Sequence, residues 1–414
     1  MKKAKLIFNS LWALAMVATV SFLISCGGDE EAAVELTIVS LNAGDDDLNG
    51  VTSPTGVSTT TIITGIFSTD IDPATASSNV KLVSDFDDTE VEITVVADGR
   101  ALKITPNEEL FGGSLYILTI KAGLASTKGK TLGTDLTRSF STVGTFTPAN
   151  VVAHWNFEDN ADDQVGDYSA AAADIIDVTY VDSRKTAAGK AASFNGTTSL
   201  IEIPNGDDFL GNDDFTLSFW VKANSSKNGQ FVLGLAAWKG FQFEIAGDWG
   251  WVKLASQYSL STGGTNSEDN FFNGEGKTKD NGGYVGWTFH KTVTGVGDTY
   301  FKDKWANVVC TYDSQTKIAT MYINGEKVKQ HDFNLFDNEK VNFEGVAYAG
   351  NPAPGNKFAL GFIQARENRV ITDSWADYSN PENNHFKGLL DDVRIFSVAI
   401  TAEEAKLMYD SEKP

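Results

Sequence analysis

Two adjacent carboxylates, Asp391 and Asp392, open an apolar run in HFKGLLDDVRIFSVAITAEEAKLMY, residues 385–409. Counted with the period of two of a β-strand, Asp391 shares a face with Val393 and Ile395, and Asp392 shares the other with Arg394 and Phe396. One carboxylate then sits at the mouth of an apolar face, where an ionised group is costly unless a cation pairs with it. No Lys or Arg of the strand is in phase to do so, and calcium, a hard ion that seeks oxygen ligands, is the expected partner. The alternative is a carboxylate that accepts backbone N–H bonds in a turn. The Thr401-Ala-Glu-Glu404 that follows carries an N-cap hydroxyl and an acid at the third helical position, which fits a capping box.

A second group of residues could hold a sugar. Trp238, Trp249, Trp251, Trp287 and Trp375, with Tyr258, Tyr284, Phe289 and Tyr378, fall in or beside two polar stretches, 256–303 and 364–386. Aromatic planes stack on the apolar faces of carbohydrate rings, and Asn266, Asp269, Asn281, Asn380 and Asn383 offer forks for hydroxyls. Trp287 and Trp375, in Gly- and Asn-rich sequence, are the foremost candidates. Trp249 and Trp251 fit a same-face strand pair in the core as well as a platform. Trp155, Trp220 and Trp305, in regular strand patterns, read as core.

The elements that must position these residues are nearly all strands. High Gly, Thr and Asp content with few helix-periodic stretches points to an all-β protein, and the length of the chain to two domains. In residues 33–145, short alternating runs such as NVKLVS, TEVEITVVADGRALKIT and LYILTIKA are separated by turn signals, with Asp98-Gly99 a strong hairpin cue. The pattern IFSTDIDPATASSNVKLV, then ITPNEELFGGSLYILTIKAGL, resembles bacterial Ig-like domains, which implies a spacer. TFTPAN leads into residues 150–412, where FTLSFWVKA, KWANVVCTYD and KIATMYINGEKV are strands and Asn324-Gly325 a tight turn. About a dozen strands fit two antiparallel sheets packed as a jelly roll.

The order VVAHWNFED, KAASFNGTTSLIEIPN, FTLSFWVKA, KWANVVCTYDSQTKIATMYINGEKV, FALGFI and FKGLLDDVRIFSVAITAEEAKLMY resembles the laminin-G-like branch of the concanavalin A-like lectin/glucanase superfamily. The stretches 256–303 and 364–386 depart from its pattern as long loops. The resemblance implies a structural calcium between the first and last strands, held by Glu158 and Asp391, with Asp392 a third candidate and Asp163 or Asp167 from the loop. Hydrolases of this fold carry E-x-D-x-E or E-x-D-x-x-E, which sets two carboxylates about 5 Å apart. No such cluster occurs in the second domain, and NSEDN and NPENN lie in loop-like sequence. His154, His290, His331 and His385 are scattered, and HExxH, GxSxG and CxxC are absent. No catalytic residue is expected.

The N-terminus gives an address. Lys2, Lys3 and Lys5 precede an apolar run from Leu6 to Ile24, the pattern of a secretory signal over residues 1–25. Leu23-Ile24-Ser25-Cys26 resembles a bacterial lipobox, which implies acylation of Cys26 and anchorage in membrane lipid. The acidic tether 26–32 resembles the export signal of Bacteroidota lipoproteins, which implies the outer face of the outer membrane. Cys310, in WANVVCTYD, reads as a small buried side chain. A formal charge of −22 argues against nucleic acid as a partner. The expectation is a non-catalytic surface lipoprotein that captures polysaccharide, beside other polysaccharide-uptake proteins. The alternatives are an adhesin that binds a protein and a divergent glycoside hydrolase or polysaccharide lyase.

Overall fold

The computed structural model describes residues 34–414 apart from 51, 86–88, 212 and 226–228, so Cys26 and the acidic tether lie outside the described residues. Two β-sandwiches follow one another, and the chain is all-β as expected. In the first, the short alternating runs pair into a five-stranded and a four-stranded sheet. Apolar positions two apart in each strand, among them Leu41, Ile63, Phe67, Leu118 and Phe140, meet between the sheets. Asp98-Gly99 turns one strand into the next, with Gly99 at φ +55°, a conformation that tight hairpins need and glycine adopts freely.

The second sandwich uses β1 (Phe215–Ala223), β2 (Phe241–Ile245), β3 (Val252–Leu260), β4 (Thr265–Phe272), β5 (Trp287–His290), β6 (Glu326–Asp332), β7 (Lys387–Phe396) and helix α1 (Ala402–Glu412) to build its sites. A nine-stranded sheet contains β1 beside β7 and β5 beside β6, and an eight-stranded sheet contains β2, β3 and β4 in that order. Alternate residues of both sheets, such as Phe219, Phe243, Leu254 and Ile395, form one core. The Phe219 and Phe243 rings meet edge to face at 5.0 Å across it.

The stretch 256–303 differs from its expected reading as one long loop. β3 runs on to Leu260, β4 pairs along it from Thr265 to Phe272, and β5 pairs with β6. β4 escapes a hydrophobic-period reading because its residues are polar on both faces until Phe271 and Phe272. The stretch 364–386 is irregular, as expected, with one short 3-10 turn at Ser374–Ala376.

A bulge in β7 overturns the expected phase of the paired aspartates. Trp220 of β1 pairs with Asp391 and Ser218 with Arg394, so β7 holds one extra residue, and Asp392 takes φ +44°. Val393 and Ile395 still face the core, but Asp391 lies on the outer face with Trp220, whose ring stacks on Tyr409 of α1 at 5.8 Å. Helix α1 begins with the expected capping box: Thr401 Oγ1 accepts the Glu404 amide at 3.1 Å, and the Glu404 carboxylate accepts the Thr401 amide at 2.7 Å. The helix buries Ala405 and Met408 against Val309, Tyr322 and Phe396 of the nine-stranded sheet, and Phe146 of the linker joins the same cluster.

Candidate ligand-binding site

The outward face of β2, β3 and β4 carries the candidate site. While Phe241, Phe243 and Ile245 point into the core, the alternate residues Gln242 and Glu244 face out. Register sets Glu244 beside Lys253 and Gln242 beside Ala255 on β3, and those two beside Phe271 and Asp269 on β4. Trp238, in the turn before β2, and Trp375, in the 364–386 loop, close the two sides of a cavity of about 250 Å³. Their rings meet edge to face at 5.8 Å, and Trp375 is braced by Phe231 at 6.1 Å. A Cβ at Gly240 would lie 2.2 Å from the Leu235 carbonyl oxygen, so the turn that presents Trp238 needs glycine there. The Trp238 indole is 42% exposed, and a ring so placed can stack on a ligand.

Lys253 organises the floor. Its ammonium lies 3.0 Å from the Glu244 carboxylate and 3.0 Å from that of Asp269. It also stands over the indoles of Trp238 at 5.5 Å and Trp251 at 5.8 Å. Gln242 Nε2 donates to Glu244 at 2.9 Å, while Gln242 Oε1 is buried without a hydrogen-bond partner among the described residues. Burial raises the Glu244 carboxyl above its ordinary range, against the pull of Lys253. Burial alone would lower Lys253, but Glu244 and Asp269 hold it above its usual value. A larger cleft of about 460 Å³ lies between Gly113, Ser141, Lys406 and Ser411 at the domain junction, and among the described residues no aromatic side chain lines it.

Residues 47–142 match the bacterial Ig-like domain. Residues 195–406, about half of the chain and all of β1 to β7, match the concanavalin A-like lectin/glucanases superfamily. The chain belongs to this superfamily. No curated protein matches it. Among solved structures, the binding domain of Paraclostridial Mosquitocidal Protein 1 is similar at 15% identity, over 63% of this chain and 52% of that one, with a TM-score of 0.39. Domain 4 of AbnA, a GH43 extracellular arabinanase from Geobacillus stearothermophilus solved in complex with arabinotriose, is similar at 20% identity, over 64% of this chain and 100% of that domain, with a TM-score of 0.37. The botulinum neurotoxin type G receptor binding domain is similar at 16% identity, over 63% of this chain and 51% of that one, with a TM-score of 0.36. This chain thus spans about half the length of the two toxin domains.

Within this concanavalin A-like sandwich the expected aromatics divide. Trp238, Trp251 and Trp375 gather around the Lys253 floor, with Trp251 against Phe271 at 5.3 Å. Tyr378 lies beside them as support, donating its hydroxyl to the Thr198 carbonyl and packing on Phe362 at 5.6 Å. Trp249 is no strand partner of Trp251; it sits in a turn at φ +62° with its side chain against Gly297. Trp287 lies on β5, in the other sheet, with Lys329 Nζ 3.0 Å from its ring centroid. Tyr258 is core, stacked on Phe343 at 4.4 Å. Of the polar forks only Asp269 reaches the site. Asn266 bonds Glu339, Asn281 caps its own turn, and Asn380 and Asn383 brace the 364–386 loop. Gln242, Glu244, Lys253 and Phe271 went unread in the sequence, although the alternation in FQFEI and VKLAS marks the first three as outward residues of strands.

The expected calcium ligands do not fit a cation site. Asp391 and Asp392 are neutralised by Arg184, which lies 2.5 Å from the first and 2.6 Å from the second. Arg394 adds an ion pair to Asp392 at 3.0 Å and one to buried Glu412 at 2.7 Å, while His154 meets Asp392 at 2.7 Å. Asp392, despite its burial, is held well below the usual carboxylate range by Arg394, His154 and Arg184, whereas burial and the neighbouring Asp392 push Asp391 up. Glu158 is exposed and accepts the Lys190 amide at 2.9 Å. Asp163 accepts backbone N–H groups in its turn, among them those of His154 and Gly166 at 2.9 Å, and Asp167 is exposed. Among the described residues no group of three or more His, Cys, Asp or Glu could hold a metal ion.

Proposed function

We propose that this chain binds glycan in the cleft between Trp238 and Trp375 and does not cleave it. The observation that carries the reading is the arrangement of Trp238, Trp251 and Trp375 around Gln242, Glu244, Lys253 and Asp269 on an outward sheet face. Exposed indole gives stacking area, and amide, carboxylate and ammonium groups give the directional contacts that hydroxyls need. The Ig-like domain acts as a spacer, and Cys26, acylated, ties the chain to the outer face of the outer membrane. Affinity electrophoresis in polysaccharide gels tests the site: Trp238→Ala and Trp375→Ala should each abolish retardation of a chain that still melts cooperatively. Retardation unchanged in both variants would remove the site.

A second reading rests on one observation. Glu244 and Asp269 bond the same ammonium, which brings two carboxylates in unlike surroundings close together, as glycoside hydrolysis requires. Lys253 between them is expected to occupy the place of the reacting bond. Release of oligosaccharides from any retarding polysaccharide would establish cleavage and replace the capture reading.

A further inference from the structure

We propose that the Trp238–Trp375 cleft selects uncharged glycans through their hydroxyl donors and rejects glycans bearing carboxylate or sulfate groups; this rests on the glycan-binding reading above. Among the described residues the lining offers the acceptors of Gln242 and Glu244, one neutral donor group in the Asn384 amide, and one cation, Lys253, that is already engaged. Gln242 is only 3% exposed, and its Oε1 has no partner among the described residues, so it lacks a donor from outside. Glu244 and Asp269 add carboxylate oxygens. Among the described residues lining the cavity Lys253 is the one cation, and both carboxylates already engage it.

The Trp238 N–H is also committed, pointing to Asp269 at 3.4 Å. Asp269, bonded to Lys253 just outside the lining, sets two carboxylates against that one ammonium, inside a chain of formal charge −22. An incoming carboxylate or sulfate would meet like charge at close range with neutral N–H donors such as the Asn384 amide, and no unengaged cation among the described lining residues, to offset it, whereas a hydroxyl can donate to Gln242 Oε1 and to Glu244. Burial already strains the Glu244 carboxylate in its charged form, and a second anion beside it would add to that strain. A cavity of about 250 Å³ is smaller than the roughly 300–1,000 Å³ of sites that enclose a drug-sized ligand, so it takes a short stretch of the polymer and leaves the rest outside.

The test uses the full chain in gels containing uncharged polysaccharides (arabinan, xylan, galactan, mixed-linkage glucan) or polyanionic ones (polygalacturonate, alginate, a sulfated galactan), at low ionic strength. The expected result is retardation by at least one uncharged polymer and by no polyanion. Gln242→Leu should weaken that retardation about tenfold, the effect of one lost hydrogen bond, with the melting midpoint kept or raised. Glu244→Gln combined with Asp269→Asn releases Lys253 and should bring polyanion binding. Retardation by a polyanion that disappears in Trp238→Ala would overturn the inference and leave the glycan-binding reading standing. Retardation by no polysaccharide at all would overturn the reading itself, and the inference with it.

Discussion

The guanidinium of Arg184 lies 2.5 Å from the carboxylate of Asp391, in the place where the sequence had pointed to a calcium ion. It also covers the Trp220 indole at 4.6 Å, while Trp220 Nε1 donates to Glu412 at 2.7 Å. Arg184 Nε also donates to the Glu412 carbonyl at 2.8 Å, so the last strand, the C-terminal helix and the segment around residue 184 are tied together through this one side chain.

Chelation and mutation should separate the two kinds of staple. Excess chelator is expected to leave the thermal midpoint of the second domain unchanged. Arg184→Met leaves Asp391 without a cation while Asp392 keeps Arg394, and loss of one partner from a buried pair costs about 3–5 kcal/mol. Urea unfolding measures it. A midpoint that falls with chelator would restore the metal, and an Arg184→Met chain of unchanged stability would dismiss the arginine.

That exchange of cation for arginine marks the limit of what the sequence told. Arg184 is remote from Asp391 in the chain, and the bulge at Asp392 that turns both acids outward has no signature in HFKGLLDDVRIF. Local patterns fared better. The Thr401 capping box, the Asp98-Gly99 and Asn324-Gly325 turns, the two-sandwich order and the burial of Cys310 all depend on neighbours or on period, and all were legible. Trp238, Trp251 and Trp375 were named, but which of nine tryptophans converge depends on strand register. The polar strand β4, which supplies Asp269, looked like loop because both of its faces carry hydrogen-bonding side chains.

A buried base gives the second sandwich an unusual pH profile. Lys329 of β6 is fully buried over Trp287, with Nζ 3.2 Å from His290 Nδ1. Burial lowers it from 10.5 to about 6, and burial with Lys329 nearby lowers His290 to about 4 and His331 to about 3. Glu275, Lys277 and Lys340 are the other charged groups acting on this cluster. Each of the three bases binds fewer protons folded than unfolded between its two pKa values, so stability rises with pH there: through the acid range for the histidines, from about 6 to 10.5 for Lys329. Asp391, raised in the folded state, works the opposite way only at lower pH. Relative to Lys329→Met, the wild type should therefore gain stability between roughly pH 8 and 10. The buried Cys310 thiol and the tyrosines that burial pushes up act the opposite way above about pH 9, but do so equally in both chains. Lys329→Met should be more stable than wild type at pH 7 and lack that gain. Parallel profiles for the two chains in urea titrations would show that Lys329 is not the source.

Trp287, half-buried on the nine-stranded sheet, separates a packed ring from a platform. It belongs to the Lys329 cluster, and its Nε1 is buried without a hydrogen-bond partner among the described residues. Trp287→Ala should lower stability by about 2 kcal/mol, less than the roughly 3–5 kcal/mol of a fully buried ring, with glycan retardation unchanged. Loss of retardation in a folded Trp287→Ala chain would move the binding surface to the edge of the nine-stranded sheet.

The most direct test of the account is the affinity of the full chain for uncharged polysaccharide, measured in the wild type and in Trp238→Ala. The account predicts measurable binding that falls at least about tenfold in the variant, since truncating an anchoring aromatic at a binding site costs on the order of 2 kcal/mol, with the melting midpoint unchanged. Equal affinity in both chains would contradict it.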